Sequence, residues 1–191
     1  MAVKSYGWNY LPLVYGLTVI RSVANSVKEE ITIVGKSVNH SQVIMSNVML
    51  PQHANPSGNV HGGEIMKLID SAAGVVAQRH ARTNVVTARV DELEFLHPIR
   101  IGNVVTCYGK LTFVGRSSME VSVTVTVEDV FRDEPAKTAL TAYLTFVSLD
   151  EKGKPQQVPS LELTNEEERS LFKQGQQRYL AYKLIGKKAN D

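Results

Sequence analysis

The chain has little that would tie it to a special environment. Its single cysteine, Cys107, cannot close an intrachain disulfide, which favours a reducing compartment. No run approaches the roughly 18 apolar residues of a membrane-spanning helix. The longest, "LPLVYGLTVI" (11–20), carries a proline. It is preceded by one lysine and followed by Arg21, so it reads as an irregular leader rather than a signal peptide. Charge of one sign is also missing: a net +2 with scattered Lys and Arg gives no footprint for nucleic acid. The five histidines (40, 53, 61, 80 and 97) show no metal-ligand spacing, so no metal is expected. "GKS" (35–37) has Glu30 where a phosphate loop needs its first glycine, and "GRSSM" lacks the second glycine of a nucleophile elbow.

What remains is an ordinary globular composition, 43% hydrophobic and 21% charged, in 191 residues. That length suits one domain with appended ends. Residues 1–40 show no sustained period and read as an extension; 41–160 form the domain, and 161–191 a C-terminal helix and tail. A short strand at 43–50 leads into "ANPSGNVHGG", and then "EIMKLIDSAAGVVAQRHA" places Ile65, Leu68, Ile69, Ala72, Ala73 and Val76 at helical spacing. The spacing predicts a helix over 62–81. Its Ala72, Ala73, Gly74 and Ala77 let something approach closely, with room for a chain along them.

Past Asn84 the period changes to two. Strands are expected over 85–95, 103–114, 118–129 and 136–149, with separators too short for crossover helices, so neighbours pair antiparallel. Alternation puts Cys107 on the face of Val105, Leu111 and Phe113, as core rather than nucleophile. Thr164, with Glu167 as its capping-box partner, opens a second helix running to about Lys183. One antiparallel sheet with an apolar face needs a cover, and the 62–81 helix supplies it. The fold class is α+β, a curved sheet wrapped round one helix.

A glycine-rich loop feeding a helix exposes unbonded N–H groups, and the dipole adds positive charge there. Such a mouth holds a phosphate or a carbonyl oxygen turning negative, or it is a plain turn. Asp70, two turns on, lies between stripe and solvent beside Met66, Ala73, Gly74 and Ala77. A carboxylate that loses hydration there becomes a stronger base; the alternative is an edge aspartate meeting solvent. Asn55, before Pro56, is a turn former or a group orienting a water.

Taken in order, "MLPQHANPSGNVHGGEIMKLID", "VVTARVDELEFLHPIRIGNVV", "GRSSMEV" and "YLTFVSLDEKGKPQQVP" resemble the acyl-CoA thioesterase family of the hotdog superfamily over residues 42–182, most of all its brain-type cytosolic and bacterial hexameric branches. The resemblance implies a hotdog fold and hydrolysis of acyl-CoA to fatty acid and CoA, without a cofactor beyond the CoA of the substrate. It implies homodimers, assembled as a trimer of dimers, with the site at the dimer seam. Asn55 and Asp70 fall on the family's catalytic pair, contributed by opposite subunits. Physical chemistry then puts the thioester carbonyl on the N–H groups of Gly62 and Gly63, with Asp70 as general base on water or as nucleophile. Gly115, Arg116, Ser117 and Ser118 match the segment that contacts the CoA phosphates and ribose, with help from basic residues near Arg178. Two other readings stand beside this one: a hydratase on the same fold, which would want a histidine a few residues past Asp70, and a non-catalytic acyl-CoA binding or sensing module. A cytoplasmic location is expected, and residues 1–40 leave a mitochondrial or exported form open. No membrane or nucleic-acid partner is expected.

Overall fold

The computed structural model describes residues 34–91 and 93–188, with the backbone alone for the last turn of the C-terminal helix (185–188). The leader reading of residues 11–24 lies outside these residues. Among them no helix is long and apolar enough to cross a membrane. In chain order the elements are β1 (Lys36–Ser37), β2 (Val43–Val48), α1 (Gly62–Ala81), β3 (Asn84–Val90), β4 (Val104–Val114), β5 (Ser118–Glu128), β6 (Lys137–Leu149), β7 (Leu161–Glu162) and α2 (Glu166–Lys188). β1 pairs in parallel with β7, so residues from Lys36 onward are already knitted into the folded body. Two-residue strands leave no periodic trace, and the end of the expected extension was therefore not legible.

The main sheet has the order β2-β4-β5-β6-β3 and is antiparallel throughout. α1 leaves one edge of this sheet, crosses its concave face and returns the chain to β3 at the other edge. Of the predicted stripe, Ile65, Ile69, Ala72, Ala73 and Val76 are buried and Leu68 is half-buried; Ala77, His80 and Ala81 extend the buried face. They meet Val105, Cys107, Leu111, Met119, Val121, Val123 and Leu144 from the strands. At the crossing point β4 has Gly109, where a Cβ would lie 2.9 Å from Val76 Cγ2 and 3.7 Å from the Ala72 carbonyl oxygen. Ala72 therefore serves close packing against β4.

Bulges between Thr87 and Arg89, between Leu111 and Phe113, and between Val125 and Thr126 curl the sheet round the helix. The β4 bulge corrects one expectation. Thr112 and Phe113 stand together opposite Glu120, so Phe113 leaves the α1 face on which simple alternation places it. Its ring instead packs under α2, 5.0 Å from Phe172 and 5.3 Å from Tyr179 between centroids.

On that outer face Glu120 is 3% exposed. Arg178 grips it with two bonds, Nη2 to Oε1 at 2.7 Å and Nε to Oε2 at 3.0 Å, and the Thr112 hydroxyl donates to Oε1 at 2.6 Å. The cap of α2 is one residue later than predicted. Asn165 Oδ1 accepts from the Glu168 N–H at 2.9 Å, and Glu168 reaches back to the Thr164 N–H. Glu167 faces away and pairs with Lys110 at 3.0 Å.

Removing Arg178 leaves the Glu120 carboxylate buried without its cation. Arg178→Ala is expected to destabilise the fold by about 3 kcal/mol in urea unfolding, and Glu120→Leu/Arg178→Leu to recover most of the loss. A cost under about 0.5 kcal/mol for the single variant contradicts the role given to the pair.

Candidate active site

The Asn55–Pro56 step turns the chain because Asn55 folds its side chain back onto the loop. Its Oδ1 accepts from the Ser57 N–H at 2.9 Å and the Asn59 N–H at 3.2 Å. The Asn55 N–H donates to the Asn59 carbonyl at 2.7 Å, and the Gly58 N–H to the Asn55 carbonyl at 3.0 Å. Gly58 adopts φ +79°, which favours glycine. With two donors already on the side-chain oxygen, the half-buried Asn55 has only its NH2 group to offer a ligand. That donor sits on a loop held by its own side chain.

The loop ends at the α1 mouth, where His61 caps the helix. The ring Nδ1 accepts from the Gly63 N–H at 2.9 Å, and the His61 carbonyl from the Glu64 N–H at 2.9 Å. Of the two amides assigned to a carbonyl oxygen, Gly63's is therefore already engaged. Gly62's has no acceptor among the described residues. A histidine cap is uncommon beside Ser, Thr, Asp or Asn, so this competition was not legible in advance.

Asp70 lies eight residues along the helix, about 12 Å by axial rise. It is exposed in the single chain. The dehydration expected from its neighbours is thus not supplied within one subunit: Ala73 and Ala77 face the sheet, while Met66 is itself 46% exposed. Its partner is Thr87 of β3, whose hydroxyl donates to Asp70 Oδ1 at 2.8 Å. Sequence reading missed Thr87. It sits beside Val85 in an alternating strand, and nothing in that pattern distinguishes a working hydroxyl from an ordinary β-branched residue.

Within one chain Asn55 and Asp70 share no hydrogen bond among the described residues. The 115–118 turn lies elsewhere again. Thr87, Phe146, Met119 and Val114 form one row across β3, β6, β5 and β4. Three strand spacings put the hairpin about 14 Å from Thr87 along the sheet. Its backbone is fixed by bonds from Gly115 N–H to the Ser118 carbonyl (2.8 Å), from Ser148 N–H to the Ser117 carbonyl (2.9 Å) and from Val158 N–H to the Arg116 carbonyl (3.0 Å). The Arg116 side chain is exposed, beside a groove of about 250 Å³ shared with Gln157, Ser160 and Phe172. Arg178, engaged by Glu120, is not a free phosphate ligand.

His80 is buried, with Nε2 2.9 Å from the Pro159 carbonyl oxygen, and burial pushes its imidazole below the ordinary range. No group of three His, Cys, Asp or Glu among the described residues could hold a metal ion.

Comparison with known proteins places this geometry in context. The thioesterase superfamily model matches residues 57–130. The mouse cytosolic acyl coenzyme A thioester hydrolase is 41% identical over 148 residues, 77% of this chain and 39% of that protein. The chain thus spans about two fifths of the length of the mammalian relatives it matches. An uncharacterised acyl-CoA thioester hydrolase of Bacillus subtilis is 39% identical over 138 residues, 72% of this chain and 80% of that protein. Among solved structures, the Staphylococcus aureus acyl-CoA hydrolase in complex with butyryl coenzyme A and coenzyme A superposes with a TM-score of 0.74 at 34% identity, covering 81% of this chain and 94% of that one. An apo-hexameric acyl-CoA thioesterase gives 0.75 at 32%, covering 81% and 98%. The S. aureus enzyme has also been solved with alanine replacing an asparagine, an aspartate 15 positions later and a threonine 17 positions beyond that. Asn55, Asp70 and Thr87 repeat both intervals.

Cys107, 1% exposed, has its thiol pushed up to about 11 by burial. The thiolate is the reactive form and is scarce well below that pH, so the folded protein should resist iodoacetamide at pH 8 and react fully in denaturant. Fast alkylation of the folded protein with loss of turnover would restore Cys107 as a nucleophile.

Proposed function

Since this chain belongs to the thioesterase superfamily, we propose that it is an acyl-CoA hydrolase whose site is completed by a second copy of the same chain. The observation that carries this reading is the Thr87–Asp70 hydrogen bond, together with the spacing of Asn55, Asp70 and Thr87, which repeats that of the three residues replaced in the S. aureus hydrolase. A rigid helix holds its first amide about 12 Å from Asp70. No single carbonyl group can touch both, since a reacting carbon and its oxygen are little more than 1 Å apart. The Gly62 amide and Asn55 of one subunit therefore serve the Asp70 of its partner; the family resemblance implies this division for Asn55 and Asp70, and the rise of about 12 Å replaces the expectation that Asp70 works with the amides of its own helix.

In this scheme the thioester oxygen accepts from the Gly62 N–H and the Asn55 NH2. These donors gain strength as negative charge develops on it. Thr87 occupies Oδ1 of Asp70 and leaves Oδ2 to take a proton from water as the water oxygen attacks the carbonyl carbon. Collapse of the tetrahedral intermediate breaks the C–S bond, and the CoA thiolate regains the proton from Asp70. The Asn55 amide, as a pure donor, fits the carbonyl better than the water, whose lone pair has to remain free to attack. Arg116, with its fork of donors, is assigned to a CoA phosphate. No cofactor enters the scheme.

A hydratase would need a base near Asp70, and His80 is nearly three turns on and turned into the core. We assign a homohexamer, a trimer of dimers, by kinship with thioesterases solved as hexamers. We assign a cytoplasmic location by kinship with the mouse and rat enzymes named cytosolic.

Asp70→Asn should lower turnover of acyl-CoA, read by thiol release, by at least about 10³-fold while a CoA thioester still binds. Thr87→Val, which preserves shape, should lower kcat by about tenfold or more with KM little changed. Retained turnover in Asp70→Asn would remove the assignment. Asn55→Ala and Asp70→Asn chains refolded together should regain about a quarter of wild-type activity, because a mixed dimer has one intact site. No recovery would place both residues in one chain's site.

A further inference from the structure

Beneath α1 the sheet packs closely on Ala72, which leaves the apolar part of a thioester to be sought at the helix mouth. One cavity fits it. At the α1 mouth a pocket of about 300 Å³ is lined by Val60, Gly62, Ile65, Phe95, Leu96 and Ile99, with Asn59, His97 and Pro98 completing the wall. It contains no Asp, Glu, Lys or Arg, whereas the grooves beside Arg116, Asp150 and Arg132 all carry charge. Phe95 and Leu96 belong to an irregular segment whose backbone is anchored: the Leu96 N–H donates to the Ala139 carbonyl at 2.9 Å, and the Ile99 carbonyl accepts from the Val60 N–H at 2.9 Å. These two apolar side chains are 43% and 57% exposed. The Phe95 ring lies over the helix start, 3.7 Å from where a Gly62 Cβ would stand.

We infer that this pocket receives the acyl chain and that Phe95 sets the length it accepts. The inference rests on the hydrolase reading above, because it takes the Gly62 amide as the point where the carbonyl oxygen is held. A carbonyl on that amide leaves its hydrocarbon substituent at the pocket entrance. The pantetheine arm is a poor alternative occupant: it has two amide groups, and the walls offer few partners for them. A pocket of about 300 Å³ at the lower end of ligand-site sizes suits a medium chain better than a long one. The assigned substrate class is medium-chain acyl-CoA.

The test is a kcat/KM series over saturated CoA thioesters from butyryl to palmitoyl, for wild type, Phe95→Ala and Phe95→Trp, each checked for native circular dichroism. Wild type should rise to an optimum near eight to ten carbons. Phe95→Ala should raise the dodecanoyl-to-hexanoyl ratio by about tenfold, and Phe95→Trp should lower the octanoyl-to-butyryl ratio by a similar factor. Superimposable profiles, or a KM raised equally at every length as pantetheine contact predicts, would overturn the inference and leave the hydrolase reading standing. If the alanine variant fails to fold, the tryptophan variant decides alone. Absence of turnover by wild type at every length would instead sink the hydrolase reading itself.

Discussion

The close approach of α1 to β4 is the constraint from which the rest follows. Ala72, Val76 and Gly109 bring helix backbone and strand backbone together with almost nothing between them. A sheet held that near a cylinder has to bend round it, and the three bulges let it do so without breaking its ladder. The tight contact also fixes where chemistry is possible. The face of the helix that meets β4 is filled by this packing, and the candidate groups lie at its mouth and on its flank. Asn55 and Gly62 are at the mouth, Asp70 on the flank.

The helix is a rigid spacer as well as a cover. Its rise per residue keeps the donors and the carboxylate apart by more than a small functional group can bridge. A second copy is then a chemical requirement of the proposed site, beyond any gain in buried area. The stiffness of both halves matters to this division. The Asn55 loop is held by its own side chain, and Asp70 by Thr87, so each half arrives preorganised and assembly only has to align them.

Most of the fold was legible because its elements are long and periodic. α1 runs over the predicted 62–81 without a residue's difference, and β4, β5 and β6 begin and end within a residue or so of expectation. The failures share a physical cause: each is a local interaction that period does not encode. A bulge turned Phe113 to the opposite face, and a cap moved from Thr164 to Asn165. His61 claimed the Gly63 amide. Ala72, one of the small residues read as room for a chain, is met by Gly109 of β4, because small side chains permit approach from either a ligand or a backbone. At the site, Asn55 and Asp70 stood out as polar residues in a glycine-rich turn and beside an apolar stripe. Thr87 could not, since threonine in a strand is commonplace and its meaning comes only from the carboxylate it touches.

The placement of Thr87 links assembly to reactivity. β3 is an edge strand, with open backbone groups and with Val86 and Val90 each more than 40% exposed. Such an edge is a liability unless something covers it. Asp70 leans on this strand, so a neighbour that covers β3 also removes water from beside the carboxylate. In the lone subunit that carboxylate is exposed and lacks the donors needed to hold a carbonyl. The same contact that shields the apolar edge would therefore strip hydration from the base and bring it a partner's Asn55 and Gly62. The core between α1 and the sheet is contained in one subunit, whereas the proposed site is not. The buried core belongs to the subunit, while the proposed chemistry belongs to the pair.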